Sequence, residues 1–301
     1  MSSVIALVVT FKRKALLENV INSLLQQTVP LKKIVVVDNN SNDGTEELVL
    51  ALASSSSGVI EYFNTGANLG GAGGFAYGFE AVKNHEYDFL WLMDDDLLPD
   101  YDCLEKLLEC PDGDIIQPLR INKDQSIAEL SPVTFDLDDF FSISPKKENV
   151  AQYINRTGIK EGGVEIAGVP FEGPLIKKEV VLNVGIPDKR FFIFYDDMDY
   201  SLRAHNKGYK IFCTFNARAT RLLKNDQKND LSSWKGYFML RNLFRLYFVH
   251  GNGFLSKTKP FILATGYLLL SLARFRFREA RICVDSFKDA VSFKTNSKYI
   301  P

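Results

Sequence analysis

The chain has 301 residues, 46% apolar, 24% charged and 12% aromatic, which suits one large domain with an appendage or two modest domains. Residues 1–200 hold 17 Lys and Arg against 32 Asp and Glu, a balance of −15, whereas residues 201–301 hold 19 against 5, a balance of +14, so the overall net charge of −1 hides a basic C-terminal region suited to phosphate or an anionic membrane surface. Cys103, Cys110, Cys213 and Cys283 form no CxxC pair and no metal spacing with the three histidines, which excludes a disulfide scaffold and structural zinc and points to a reducing compartment; no DNA- or RNA-binding motif appears, so nucleic acid is not an expected partner.

Short β-branched runs alternate with helical patterns from the start. VIALVVTF (4–11) predicts a buried first strand; no basic residue precedes it and no small-residue cleavage site follows, so it does not read as a signal peptide. ALLENVINSLLQQ (15–27) predicts an amphipathic helix, IVVVD (34–38) a strand, TEELVLALASS (45–55) a helix and VIEYF (59–63) a strand. GFAYGFEAVKNH (74–85) predicts a helix, FLWLM (89–93) a strand and YDCLEKLLEC (101–110) a helix. This alternation implies an α/β fold, a mostly parallel central sheet flanked by helices, with right-handed crossovers. Ligands of such sheets sit beyond the carboxyl ends of the strands. Thr10 with Arg13, Asp38, the glycine-rich 64–74 and Asp94–Asp96 all fall at such ends.

Residues 111–160 read as polar and irregular, with weak strand signals that assign no element. Order resumes over 171–185 and 190–215, and past Asn225 the pattern turns to long aromatic, basic helices. The division expected is 1–225, a nucleotide-binding and catalytic domain, and 226–301, a helical C-terminal extension. In the latter, the apolar stretch 261–273 is too short to span a bilayer. Arg274, Arg276, Arg278 and Arg281 beside it suit a helix lying on anionic lipid, or one packed on the main domain with a solvated basic face.

Four segments carry candidate chemistry. VVVDNNSNDGT (35–45) puts Asp38 before a capped turn, where a carboxylate accepts hydrogen bonds from a nucleobase or ribose. NTGANLGGAGGFAYG (64–78) brings glycines that permit close backbone approach to a ligand. It also satisfies GxGxxG/A, which leaves an NAD-dependent oxidoreductase as a rival reading, although the fingerprint follows the third strand instead of the first. In FLWLMDDDLLPD (89–100) three aspartates end a buried strand. They repel one another alone, whereas a divalent cation, Mn²⁺ or Mg²⁺, on Asp94 and Asp96 reverses that sign. FFIFYDDMDYSLR (191–203) repeats the theme with Asp196, Asp197 and Asp199, and a carboxylate at such a crowded mouth suits a general base.

The ordered set Thr10…Arg13, VVVDNNSNDGT, NLGGAGG, WLMDDD, FFIFYDDMDYSLR and GYKI resembles family 2 glycosyltransferases of the GT-A fold over most of residues 1–245. It is most similar to the bacterial galactofuranosyltransferases and their rhamnosyltransferase relatives. The resemblance implies inverting transfer of galactofuranose from UDP, or of rhamnose from dTDP, to a saccharide acceptor in cell-surface polysaccharide synthesis. It implies that Asp38 contacts uracil and ribose, that Thr10, Arg13, Asn68, Asp94 and Asp95 line the nucleotide site, and that Asp94 and Asp96 hold metal and diphosphate. Asp197 is then the catalytic base, with Tyr195, Asp196, Trp234 and Tyr237 as candidate acceptor contacts. Relatives often carry a metal-binding His near the position of Arg221. Arginine is a permanent cation without a lone pair to donate, so Arg221 is expected on the diphosphate itself. A lipid-linked acceptor at the cytoplasmic face of the membrane, with the C-terminal region in peripheral contact, completes the expectation. A non-catalytic nucleotide-sugar-binding protein on the same fold is the remaining alternative.

Overall fold

The computed structural model describes residues 2–223 and 231–301. The N-terminal half runs β1 (Val4–Thr10), α1 (Lys14–Leu25), β2 (Lys33–Asp38), α2 (Thr45–Ser55), β3 (Ile60–Asn64), α3 (Gly70–Val82), β4 (Phe89–Asp94), β5 (Leu97–Pro99) and α4 (Cys103–Leu108). There follow β6 (Ile115–Asn122), β7 (Pro132–Phe135), β8 (Lys146–Asn149), α5 (Val150–Thr157), β9 (Gly163–Glu165), β10 (Leu175–Lys177), α6 (Lys178–Val184), α7 (Asp196–His205) and β11 (Ile211–Arg221). The C-terminal helices are α8 (Trp234–His250), α9 (Phe254–Ala273) and α10 (Phe277–Ser292). The anticipated boundary at 225/226 lies outside the described residues.

The main sheet has the order β3-β2-β1-β4-β10-β6-β11-β5, with β9 on β11. β1, β2, β3, β4, β6 and β11 point one way and β5, β9 and β10 the other, so the sheet is mostly parallel as expected. All seven residues of β1 are buried, because helices cover both faces. Ile5, Leu7 and Val9 meet α3, α6 and α7 on one side. Val4, Ala6 and Val8 meet α1, α2 and α4 on the other.

One expectation is corrected and another is extended. Residues 111–160 are not irregular: β6 lies between β10 and β11, buried at every position but its last. Pro118 hides the strand from a pattern search, since proline cannot donate to a ladder; the β6–β11 register shifts between Thr214 and Arg218, just after Thr214 pairs with Pro118. The glycine stretch, in turn, is largely helix, for α3 begins at Gly70. A Cβ on Gly74 would lie 2.5 Å from Val9 Cγ1, and one on Gly78 would lie 2.4 Å from Leu7 Cδ1. Gly74 and Gly78 thus let α3 press onto β1, while Gly70 and Gly71 at its start line a cavity.

Candidate active site

The parallel strands deliver the acidic cluster to their carboxyl ends. β1 and β4 pair in register from Val4–Phe89 to Val9–Asp94, so Thr10, one residue on, comes opposite Asp95. Thr10 Oγ1 donates to Asp95 Oδ2 at 2.8 Å, and Arg13 Nη1 donates to Asp95 Oδ1 at 2.9 Å and to Asp96 Oδ2 at 3.2 Å. The middle aspartate is therefore a clamp between β1 and β4. Asp94 accepts no hydrogen bond through its carboxylate among the described residues. Burial, then repulsion from Glu172, Asp96 and Asp95, holds it well above the usual carboxylate range.

A cavity of about 870 Å³ opens over this cluster. It gathers Thr10, Arg13, Asn68, Asp94, Asp95 and Asp96 from the expected donor side, together with Asp196, Asp197, Arg221 and Trp234. Asn68 Oδ1 accepts from Gly70 N at 3.0 Å, which turns the chain into α3. Asp38 does not line the cavity. It is 1% exposed, and its carboxylate accepts from Ser41 N, Ser41 Oγ and the Tyr62 hydroxyl. Asn39, the next residue, takes its place in the lining.

An adjoining cavity of about 320 Å³ reaches towards β7 and β8 and includes Tyr195, Phe135 and Lys146. Asp197, Glu172, Phe194, Pro170 and Arg221 line both spaces, so Asp197 stands where they meet. Its carboxyl is pushed up to about 6, by burial first and by the charge of Glu172, with Arg120 opposing. Oδ1 accepts from Met198 N at 2.7 Å in the first turn of α7.

The segment entering α7 is bent by three residues in left-handed regions, Phe192, Phe194 and Tyr195. Phe192 has φ 63° and ψ −58°, and Ile193 N donates to Phe191 O at 2.8 Å, which makes a strained γ-turn. Such strain persists only where its surroundings impose it. Asn242 Nδ2 on α8 donates to the carbonyls of Phe191, Ile193 and Phe194, while Arg241 Nη2 donates to those of Arg190 and Phe191. Ala72 N donates to Phe192 O at 3.1 Å, and only glycine fits at 70, where a Cβ would sit 2.2 Å from that same oxygen. The second role of the glycine stretch is thus to admit the turn that aims Asp196 and Asp197. Tyr237, considered for stacking on an acceptor, is instead fully buried, stacked on Tyr299 and hydrogen-bonded to Asp289.

Three charged residues passed unnoticed in the sequence. Arg120 on β6 makes a two-pronged contact with Glu129, Nε to Oε2 at 2.8 Å and Nη2 to Oε1 at 2.9 Å, and also donates to Glu172. Glu172 carries the relay to the cavity, with Arg221 Nε 3.4 Å from its Oε2. The only sequence trace of Glu172 is an acidic residue inside the apolar VPFEGPLI run (169–176).

Among the described residues no group of three or more His, Cys, Asp or Glu side chains is arranged to hold a metal. Two carboxylates nonetheless fit Mg²⁺ or Mn²⁺, which are commonly bound by one or two protein carboxylates and completed by substrate phosphates and water. The unpartnered Asp94 beside Asp96 and Glu172 leaves the negative excess that such an ion would offset.

Residues 5–158 match the family described as Glycosyl transferase family 2. Galactofuranosyltransferase GlfT1 of Mycolicibacterium smegmatis is 30% identical over 214 residues, 68% of this chain and 66% of that protein. The matched region thus spans just under two thirds of that relative. The crystal structure of GalNAc-T7 with UDP, GalNAc and Mn²⁺ superposes with a TM-score of 0.60 at 14% identity, covering 87% of this chain and 54% of the other. Mannosyltransferase PcManGT from Pyrobaculum calidifontis, in complex with GDP-Man and Mn²⁺, gives 0.56 at 13% identity, covering 98% and 88%. The chain belongs to glycosyl transferase family 2 and has the GT-A fold.

Proposed function

We propose that the protein transfers galactofuranose from UDP-galactofuranose to a saccharide acceptor, with inversion at the anomeric carbon, in the assembly of a cell-surface polysaccharide. The observation that carries this reading is that Asp197 borders both cavities, so one carboxylate faces a donor space and an acceptor space. In the donor space Thr10 and Arg13 fix the aspartate cluster, Asn68 and Asn39 flank the nucleotide, and Arg221 meets the diphosphate. Asp94 and Asp96 would hold a divalent cation, which when bound supplies stabilisation of the leaving diphosphate's charge; Mn²⁺ in both structural neighbours supports this choice. Asp197 takes the proton from the attacking hydroxyl. Tyr195, Asp196 and Trp234 contact the acceptor, which is lipid-linked and met at the cytoplasmic face of the membrane. The donor sugar is supported by the galactofuranosyltransferase relative.

The test is a thermal-shift series with UDP, dTDP, GDP and NAD, each with and without Mn²⁺. A ligand at ~100 times its Kd adds about 2.7 kcal/mol of stability. Stabilisation by UDP that grows with Mn²⁺ is the expected result. Preference for dTDP would reassign the donor to a rhamnose nucleotide, and a response to NAD alone would overturn the transferase site.

A further inference from the structure

Helix α9 is apolar on both sides. One side, with Leu263, Ala264, Tyr267 and Leu268, packs against Phe244, Phe248, Cys283 and Phe287 of α8 and α10. The opposite side should be polar in a helix resting on a domain surface. Instead it presents Phe254, Leu255, Ile262, Leu269, Leu270 and Leu272, all exposed, and the chain beyond it presents Phe275 and Phe277, which are 80% and 66% exposed. Isolated exposed apolar residues need no explanation, but a run of them along one helix marks a surface that meets something else.

A second segment, remote in sequence, adds to this surface. The loop between β7 and β8 is tied to the start of α9: Asp138 accepts from Asn252 N, Asn252 Nδ2 and Ser256 Oγ, and Lys259 Nζ donates to Asp139 O at 2.7 Å. That loop exposes Phe141 at 95% and Ile143 at 72%.

Charge identifies the partner. From Leu231 to Arg278 the sequence contains no Asp or Glu. Lys257, Arg274, Arg276 and Arg278 are exposed there, and Arg281 follows. Arg276 is paired with Glu279, whereas Arg274, Arg278 and Arg281 form no ion pair among the described residues. The acids of the Phe141 loop are already engaged, Asp138 by the start of α9 and Asp139 by Lys147, so a second copy meeting this face through α9 and its Arg274–Arg278 end would set cations against cations. No described helix is long and apolar enough to cross a membrane, so the face lies on its partner and does not traverse it.

We infer that the outer face of α9, its Arg274–Arg278 end and the Phe141 loop together form a docking surface for an anionic lipid bilayer, with α9 lying in the interface plane. At 20 residues α9 presents about 30 Å of edge to the lipid. The inference deepens the reading of a membrane-held acceptor, but its test needs neither donor nor acceptor. Either can therefore fail without the other.

The full-length protein is mixed with vesicles of phosphatidylcholine alone or with 30% phosphatidylglycerol (mol/mol, ~0.1 M salt) and sedimented. Binding to the anionic vesicles, weak binding to the neutral ones and loss in high salt are expected. Leu269→Gln/Phe275→Gln should lower the partition at least ~10-fold, and Arg274→Gln/Arg278→Gln by ~10–30-fold, at about one kcal/mol per cation. All four substituted residues are exposed, so circular dichroism and UDP-induced thermal shift should stay at wild-type values. Equal binding of the variants, or no binding by the wild type, would overturn the inference. So would a wild-type dimer in sedimentation velocity that Leu269→Gln/Phe275→Gln converts to monomer, since a second copy would then cover the face.

Discussion

Arg221 Nε and Glu172 Oε2 lie 3.4 Å apart at the junction of the two cavities, and the same carboxylate accepts from the buried Arg120. One anion thus holds two cations, one locked by Glu129 and one facing the donor space. On the proposed reading Arg221 meets the diphosphate, and a metal ligand in its place would change the charge of the site.

Arg221→Ala should therefore weaken UDP binding by ~10–100-fold, the worth of a charge-assisted contact of about 1.5–3 kcal/mol. Isothermal titration with UDP and Mn²⁺ checks this. Donor binding and turnover that both survive the substitution would remove Arg221 from the diphosphate site.

Asp197→Asn should keep donor affinity and lower kcat by ~10²–10⁴. The base works only when ionised, and its folded-state pKa is raised to about 6. The wild-type kcat/KM should accordingly rise with pH through about 6 and level off above it, and the Asn variant should lose that limb. A wild-type profile flat from pH 5 to 8 (about one unit below the raised pKa to two above) would contradict the assignment.

Arg120→Met should cost ~3–5 kcal/mol of unfolding free energy, because Glu129, fully buried, would keep its charge without its partner. Adding Glu129→Gln should recover part of the loss. Urea denaturation of the two variants measures both steps, and equal stability of the single and double variants would show that the pair is not coupled.

Gly78→Ala should destabilise by ~1–3 kcal/mol, since its methyl would meet Leu7 Cδ1 at 2.4 Å inside a filled core. Gly71→Ala, with nothing within 4 Å of the added carbon, should be neutral or stabilising by up to ~1 kcal/mol. Denaturation midpoints decide between them. A loss of equal size at both positions would point to helix entry instead of packing on β1.

The parallel half of the sheet was legible because β1, β2 and β4 are buried on both faces and read as unbroken apolar runs between turn residues. Asp94–Asp96 and Asp197 stood out for a related reason: consecutive acids beside apolar runs are rarely innocent. β6 was not legible, because Gln117, Pro118 and Arg120 interrupt its apolar pattern and their compensation lies elsewhere in the chain. Gln117 Nε2 donates to Glu129 and to the carbonyl of Glu172, and Arg120 reaches both glutamates. Glu172 and Glu129 are lone acids in sequence and become a relay only in three dimensions. The glycine stretch was seen but only half explained: Gly70 and Gly71 line the cavity, whereas Gly74 and Gly78 serve packing on β1, and the two uses have one signature in sequence. Asp38 was placed correctly at the end of β2, yet Ser41 and Tyr62, not the cavity, receive its carboxylate.

The clamp from α8 onto the turn before α7 has a consequence for how the protein comes into being. Arg241 and Asn242 emerge from the ribosome some forty residues after Asp197, and until they do the carbonyls of Phe191, Ile193 and Phe194 lack the donors that hold them. β1, β2, β3 and β4 can pair before that, which brings Asp95 and Asp96 onto Thr10 and Arg13. Asp197, by contrast, has no imposed direction at that stage. A nascent or prematurely terminated chain would accordingly hold its first aspartate cluster before Asp196 and Asp197 are aimed, and completing α8, which also brings Trp234 to the cavity, is the event that joins the two.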